Sequence, residues 1–457
     1  MAARTAEPTA ARTAEPTAVP TTEPTAAPAE VTTTATGAGR FVADRPAPAA
    51  PWSALARCVT ADPDTFAEHH WGQRPLLSRR GDLPERFDDL LDLDAVDELL
   101  SRRGLRTPFL RIARTGEVVD SRQFTGPGGA GAEVADQVRD DQVAALFGEG
   151  ATIVLQGLHR MWPPVIDFVT RLAEELGHPA QANAYVTPPS SRGFAAHYDV
   201  HDVFVLQLAG RKHWTVHPPV HQDPLRDQPS SRYSSQVAAA AEREWPLIDT
   251  VLEPGDSLYL PRGYLHAATA LGEVSAHLTV GIHTVTRYAL VEALAVLLAD
   301  EPELRRSLPP GIDVSDPEQL APQLRTVLDV LAGRLHRVPA TDVARQVRER
   351  VWTGGRPEPL PPVAQATLAD ELRPGDEVRR RVGLGHRLHP GGEQLELELP
   401  DRTLTLPAGT AAALDVLLDG HPVAVDELPG LDESEQLVLV RRLLREGVLV
   451  AGAAGRR

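Results

Sequence analysis

The stretch His197-Tyr-Asp-Val-His-Asp-Val-Phe-Val-Leu-Gln-Leu-Ala-Gly-Arg-Lys-His-Trp214 constrains the fold more than any other part of the chain. Residues 203 to 208 are apolar or β-favouring apart from Gln207, and Gly210 closes the run, which predicts a strand. Alternate residues of a strand share a face. Continued back along the chain, that rule aims the imidazole of His197 and the carboxylate of Asp199 into one space. A second segment, Glu253-Pro-Gly-Asp-Ser-Leu-Tyr-Leu-Pro-Arg-Gly-Tyr-Leu-His266, offers a turn, a short strand, another turn and a histidine.

Two histidines and one carboxylate on one face of a metal leave three positions open, the donor set of non-haem Fe(II) oxygenases. The surroundings suit such a site. Strand-like runs occur at 151–156, 181–187, through Val216, around 246–252, 257–260 and 274–283, each bounded by turn residues. Many short strands with few long helices predict a mainly β core, a double-stranded β-helix or jelly-roll barrel of the cupin type. Such a barrel holds one small ligand at its mouth.

One residue stands out by its isolation. Of 46 Lys plus Arg, Lys212 is the only lysine. An ammonium on a flexible stem is a compact point charge, whereas a guanidinium is a wide planar fork. A narrow pocket that holds one carboxylate calls for the former.

The whole chain sets broader limits. Its 457 residues exceed one compact core, so two or three domains are expected. The single cysteine, Cys58, excludes a disulfide framework within the chain and reads as a buried structural thiol in a reducing cytoplasm. Neither the apolar core of a signal peptide nor a run of about 18 apolar residues is found. A net charge of −17 argues against broad binding to nucleic-acid phosphates and suits a basic partner.

Residues 1–45, with Ala-Arg-Thr-Ala-Glu-Pro-Thr-Ala at 3–10 and again at 11–18, read as a disordered Pro/Thr/Ala-rich tail. The catalytic barrel is expected over 46–284. A helical region and linker follow over 285–362, with helices at 288–299, 317–335 and 341–353. Residues 363–457 form a small domain whose capping box Asp432-x-x-Glu435 opens a helix before the strand-like Gly447-Val-Leu-Val450, an order resembling a winged helix. Residues 376–457 hold 14 Asp plus Glu against 10 Arg, with Arg379, Arg380 and Arg381 the one basic cluster. That balance lacks the electrostatic term of DNA binding and favours structural or protein-docking use.

Taken together, these landmarks resemble the JmjC-type ribosomal oxygenases, cupin-like Fe(II)- and 2-oxoglutarate-dependent protein hydroxylases. The resemblance rests on Trp71 to Leu77, Leu158-His-Arg-Met-Trp-Pro-Pro164, Asn183-Ala-Tyr-Val-Thr-Pro-Pro189, His197-x-Asp199, Gly210-Arg-Lys212-x-Trp214, Glu253-Pro-Gly-Asp256, Pro261-Arg-Gly263 and His266. It implies that His197, Asp199 and His266 hold iron, with 2-oxoglutarate and dioxygen as cosubstrates, and that Lys212 pairs with the far carboxylate. Asn183 matches a polar position near the cosubstrate, and His277 one that faces the barrel interior. The helices after 285 resemble the family's dimerisation region, which implies a homodimer. The implied substrate is a basic ribosomal protein, oxidised at an arginyl or histidyl side chain. The same chemistry on a peptide or small metabolite, and a non-catalytic cupin and winged-helix scaffold, are the alternatives. His201 is expected to lie too far along the strand from His197 to share a metal, about 13 Å. His213, His217 and His221 are expected to be exposed, and Arg192 and Tyr185 to border the substrate approach.

Overall fold

The apolar run before Gly210 is a strand, Asp202–Ala209, buried over all but its last residue. Its sequence is nearly continuously apolar because both faces are covered. Phe204 and Leu206 pack with Phe66, Tyr259 and Phe168 in the main core. Val203 and Val205 point the other way, to Trp214, Val216 and Leu252. A computed structural model describes residues 53–114, 116–189 and 195–452, and the tail at 1–45 and Arg192 lie outside the described residues.

Two sheets generate those two environments. The larger has eight strands in the order Leu76–Ser78, Ser257–Leu260, Asp202–Ala209, Ser275–Ile282, Ala180–Thr187, Thr152–Leu155, Leu110–Arg114 and Glu117–Val118. Every neighbouring pair is antiparallel. The smaller sheet has Lys212–His217 at its centre, flanked by Ile248–Leu252 and Leu265–Ala270. The chain crosses between the sheets at Gly210, where φ is +58° and a Cβ would overlap the Val274 carbonyl. Gly210→Ala is therefore expected to destabilise the fold by about 2–4 kcal/mol, from left-handed strain plus overlap. A urea midpoint within error of the wild type would count against this account of the corner.

On the larger sheet's far side the amphipathic helix Pro163–Leu176 buries Val165, Phe168, Val169 and Leu172 and stops at Gly177, φ +69°. Cys58 is buried in the same core, and burial pushes its thiol well above the ordinary range, as befits an inert structural group.

After the barrel come the helices Arg287–Leu298, Pro317–Leu335 and Ala340–Gly354. The last two bury no residue fully, and Leu324, Leu328 and Leu335 face solvent together with Tyr288 and Val291. Residues 362–452 then form their own core around Val378, Leu397, Leu414, Leu443 and Leu449. Here the expected capping box is present: Asp432 accepts from Glu435 N, and the Glu435 carboxylate accepts from Asp432 N. Glu377–Arg380 pairs on one side with Val423–Ala424 and on the other with Leu449–Ala451, while a separate meander covers 387–407. The basic cluster is used internally. Arg379 makes a forked pair with Glu358, at 2.8 and 2.9 Å, and Arg380 reaches Glu174 at 2.8 Å.

Candidate metal and cosubstrate site

Alternation along the sequence predicts His197 and Asp199 on one continuous strand. The structure reaches the same juxtaposition by another route. The strand begins only at Asp202, and residues 199–201 bend before it. What fixes His197 is a two-way backbone pairing with His266: His197 N donates to His266 O at 3.1 Å, and His266 N to His197 O at 2.8 Å. Asp199 is tied to the same partner segment, because its carbonyl accepts from Gly263 N at 3.0 Å. Asp202, wholly buried, secures the turn by accepting from Arg262 N at 3.1 Å and Tyr259 Oη at 2.6 Å. The turn at Glu253 to Asp256 is pinned in a similar way, the buried Asp256 carboxylate accepting from Arg80 N and Glu253 N.

These turns bring one ligand atom each from His197, Asp199 and His266 within 4.8 Å of one another, the one such cluster among the described residues. Nδ1 of His197 lies 2.9 Å from the Ala195 carbonyl, and Nδ1 of His266 lies 3.1 Å from that of Tyr264. Each carbonyl can only accept, so each imidazole carries its proton on Nδ1 and presents Nε2 as the ligand nitrogen. His266 Nε2 stands 3.8 Å from Asp199 Oδ2. Burial, followed by the neighbouring His197, lowers the His266 pKa to about 4, so this imidazole is neutral at pH 7. Two imidazole nitrogens and one carboxylate are a donor set that fits Fe(II).

The ligands stand in the wall of a cavity of about 280 Å³ between the two sheets. The larger sheet contributes Tyr185, Thr187 and His277, and the smaller one Lys212, Trp214 and His266. Lys212, 3% exposed, donates to Thr187 Oγ1 at 3.1 Å and to His277 Nδ1 at 3.4 Å. No carboxylate pairs with its Nζ among the described residues, and burial lowers its pKa to about 7. A cation held in this way is incomplete until an anion arrives. His277 is kept neutral by burial and by the Lys212 charge, and its ring stacks on Tyr185 at 5.1 Å.

The remaining expected residues fall at different places. Asn183 shares a strand face with Tyr185 and Thr187, but its side-chain oxygen accepts from Gly157 N at 3.0 Å, and it does not line the cavity. Tyr185 does line it. His201 lies outside the ligand cluster and stacks on His283 at 5.4 Å. His213 and His221 are half-buried, and His217 is buried, contrary to the expected exposure. For His217 the reason is the helix Ser234–Arg243. His217 pairs with Leu265 on the outer face of the smaller sheet, and Val237 and Ala240 of that helix cover Leu265. Sequence reasoning did not single out Arg111, Thr187 or Trp214 as cavity residues. Thr187 and Trp214 stand inside motifs of the family resemblance, but an inward strand position is visible only once register is known.

Residues 164–290 match the family model described as a JmjC domain. Ribosomal oxygenase 1 of Rattus norvegicus is 30% identical over 438 residues, an alignment covering 85% of this chain and 70% of the relative. The chain belongs to the JmjC ribosomal oxygenase family. It is thus a 2-oxoglutarate-dependent dioxygenase with Fe(II) as its metal, and the donor set and the buried lysine are consistent with that class. A second relative, a bifunctional lysine-specific demethylase and histidyl-hydroxylase NO66 of Culex quinquefasciatus, is 30% identical, and this chain spans 51% of its length against 74% of its own. The Escherichia coli ribosomal oxygenase YcfD shares the fold, with a TM-score of 0.51 and 20% identity over 86% of this chain and 99% of that one. No helix among the described residues is long and apolar enough to cross a membrane.

Proposed function

We propose that this ribosomal oxygenase family member hydroxylates an arginyl or histidyl side chain of a ribosomal protein, with His197, Asp199 and His266 as the metal ligands. The observation that carries the reading is one cavity containing both the ligand cluster and an unpaired lysine cation. Fe(II) with 2-oxoglutarate supplies the dioxygen chemistry that turns C–H into C–OH as the keto acid becomes succinate and carbon dioxide. Lys212 holds the far carboxylate of the cosubstrate by a charge-assisted bond, and Thr187 and His277 hold Lys212. Trp214, 6.1 Å from His266 and 5.5 Å from His277 between ring centroids, walls the site against water. The name of the mosquito relative favours the histidyl choice, and the net charge of −17 favours a basic substrate.

The same reading assigns catalysis to 46–284, self-association to the helices of 285–362 and structural or protein-docking use to a winged-helix-like 363–457. The exposed Tyr288, Val291, Leu324 and Leu328 support a homodimer through those helices. Light scattering is expected to give twice the chain mass at micromolar concentration, and a monomer at all concentrations would remove this part.

Intact-mass spectrometry of ribosomal proteins from cells lacking this gene tests the reaction itself. Incubation with the enzyme, Fe(II), 2-oxoglutarate and air is expected to add one oxygen to a single protein. Succinate formation without any mass change would keep the oxygenase and discard the ribosomal substrate.

A further inference from the structure

Between strands Lys212–His217 and Ile248–Leu252 the chain makes an excursion, residues 218–247, that the barrel itself does not require. It wraps the outside of both ligand-bearing segments. Tyr198, which lies between His197 and Asp199 and is 2% exposed, donates its hydroxyl to Gln228 O at 2.9 Å. The Tyr198 ring packs with Leu265, Val237 and Ala240, the last two on helix Ser234–Arg243. Gly263, whose N–H holds Asp199 O, is in turn so closely covered by His221 O and Pro224 that a Cβ would overlap them. The excursion is thus anchored at the metal site.

Its far end is unlike the rest of the surface. Trp245 is 92% exposed and Leu247 57% exposed. Register locates them: His266 pairs with Val216, and Val216 with Ile248, so Ile248 stands two strand spacings, about 10 Å, from the ligand. Trp245 is three residues before it. Along residues 240–252 carboxylates outnumber cations three to one. Glu242, Glu244 and Asp249 are exposed, and Arg243 is the only cation from 240 to 252. Glu242 and Glu244 have no ionic partner among the described residues, while Asp249 meets His213 Nε2 at 2.5 Å. The outer edge of strand Ile248–Leu252 is partly closed, since Arg79 donates to Val251 O at 2.8 Å and to Thr250 Oγ1 at 2.6 Å. Capture by side chains is therefore favoured over strand addition.

We propose that Trp245, with Glu242 and Glu244, is a docking point for an arginine- or lysine-bearing segment of the protein substrate as it enters the metal site. A guanidinium or ammonium over the indole face, with carboxylates at its rim, combines a cation–π contact with charge pairing. Exposed tryptophans that become buried on binding are frequent energetic centres of interfaces. This inference rests on the proposed basic substrate, and it concerns docking, not the chemical step.

The test uses the full chain and two independent readouts. Binding is followed by anisotropy of a fluorescein-labelled 20-residue peptide rich in arginine and glycine, with an aspartate-rich peptide as control. Turnover is followed as succinate formed from Fe(II) and 2-oxoglutarate without peptide. Wild type is expected to bind the basic peptide and not the acidic one. Trp245→Ala and the double variant Glu242→Gln/Glu244→Gln are each expected to weaken binding by about 10- to 100-fold. Trp245→Phe restores part of the loss, and peptide-free succinate formation stays at the wild-type rate in all three. Equal binding by wild type and Trp245→Ala, or no binding by wild type, would overturn the docking point. A Trp245→Ala protein that changes from dimer to monomer would also overturn it, by assigning the surface to a second copy. Absence of succinate with wild type would instead remove the oxygenase reading, and the binding result would stand separately.

Discussion

Asp199→Ala is expected to abolish turnover while leaving the fold intact. Among the described residues, the Asp199 carboxylate is the only anionic ligand atom in the cluster with His197 and His266. Removing it leaves only two imidazoles to hold a divalent cation. Loss of a partner that merely orients a ligand weakens metal binding by about 10- to 100-fold, so loss of a ligand exceeds that. Without bound metal the reaction loses its activation of dioxygen, and the expected fall in kcat is on the order of 10³-fold or more. The fold should tolerate the change, because the Asp199 side chain is 32% exposed and its carbonyl, which truncation preserves, makes the bond to Gly263. Titration with Co(II), followed by its visible absorption, separates these effects from unfolding. A variant that binds Co(II) as tightly as wild type would exclude Asp199 as a ligand.

The centre of this fold was legible because burial on both faces wrote a continuous apolar run into 203–208. The sequence also marked Lys212, through the rarity of its residue type. The backbone of the ligand segment was not legible. A period-two reading carried the strand back to His197, whereas residues 199–201 bend, and the carboxylate is aimed by the Gly263 N–H and by the His197 pairing with His266. Those contacts join positions more than 60 residues apart, and no local pattern encodes them. His217 shows the same limit. A place at the strand end suggests exposure, but its burial depends on an excursion that folds back over the sheet. Asn183 matches a polar family position near the cosubstrate, and its strand face does reach the cavity two residues later, at Tyr185, yet its own oxygen is engaged by Gly157. Side-chain direction was readable from one strand; side-chain partner was not.

Lys212→Met is expected to lose cosubstrate binding and, at the same time, to alter the pH dependence of stability. Methionine keeps the length and apolar stem of the side chain but removes the charge. A buried carboxylate left without its cation costs about 3–5 kcal/mol, so the KM for 2-oxoglutarate should rise by about 10²- to 10⁴-fold. Metal binding should survive, because Lys212 contacts Thr187 and His277 and neither belongs to the ligand cluster. The stability effect has a definite sign. In the folded protein, burial lowers the Lys212 pKa from an ordinary 10.5 to about 7, so between those values the unfolded chain binds more protons than the folded one. Stability from this residue therefore increases as pH rises from 7 to 10.5 and is lost as pH falls back through that window. The full change is a few kcal/mol at about 1.4 kcal/mol per pH unit. The variant has no such group. Urea unfolding of both proteins without cosubstrate at pH 7 and pH 9 is the measurement, and wild type should gain on Lys212→Met by about 2 kcal/mol between them. A difference that does not change with pH would mean that the amine is solvated or already paired in the empty site. The same burial that makes Lys212 a liability to the empty protein makes it receptive to a carboxylate, and binding should restore the ammonium.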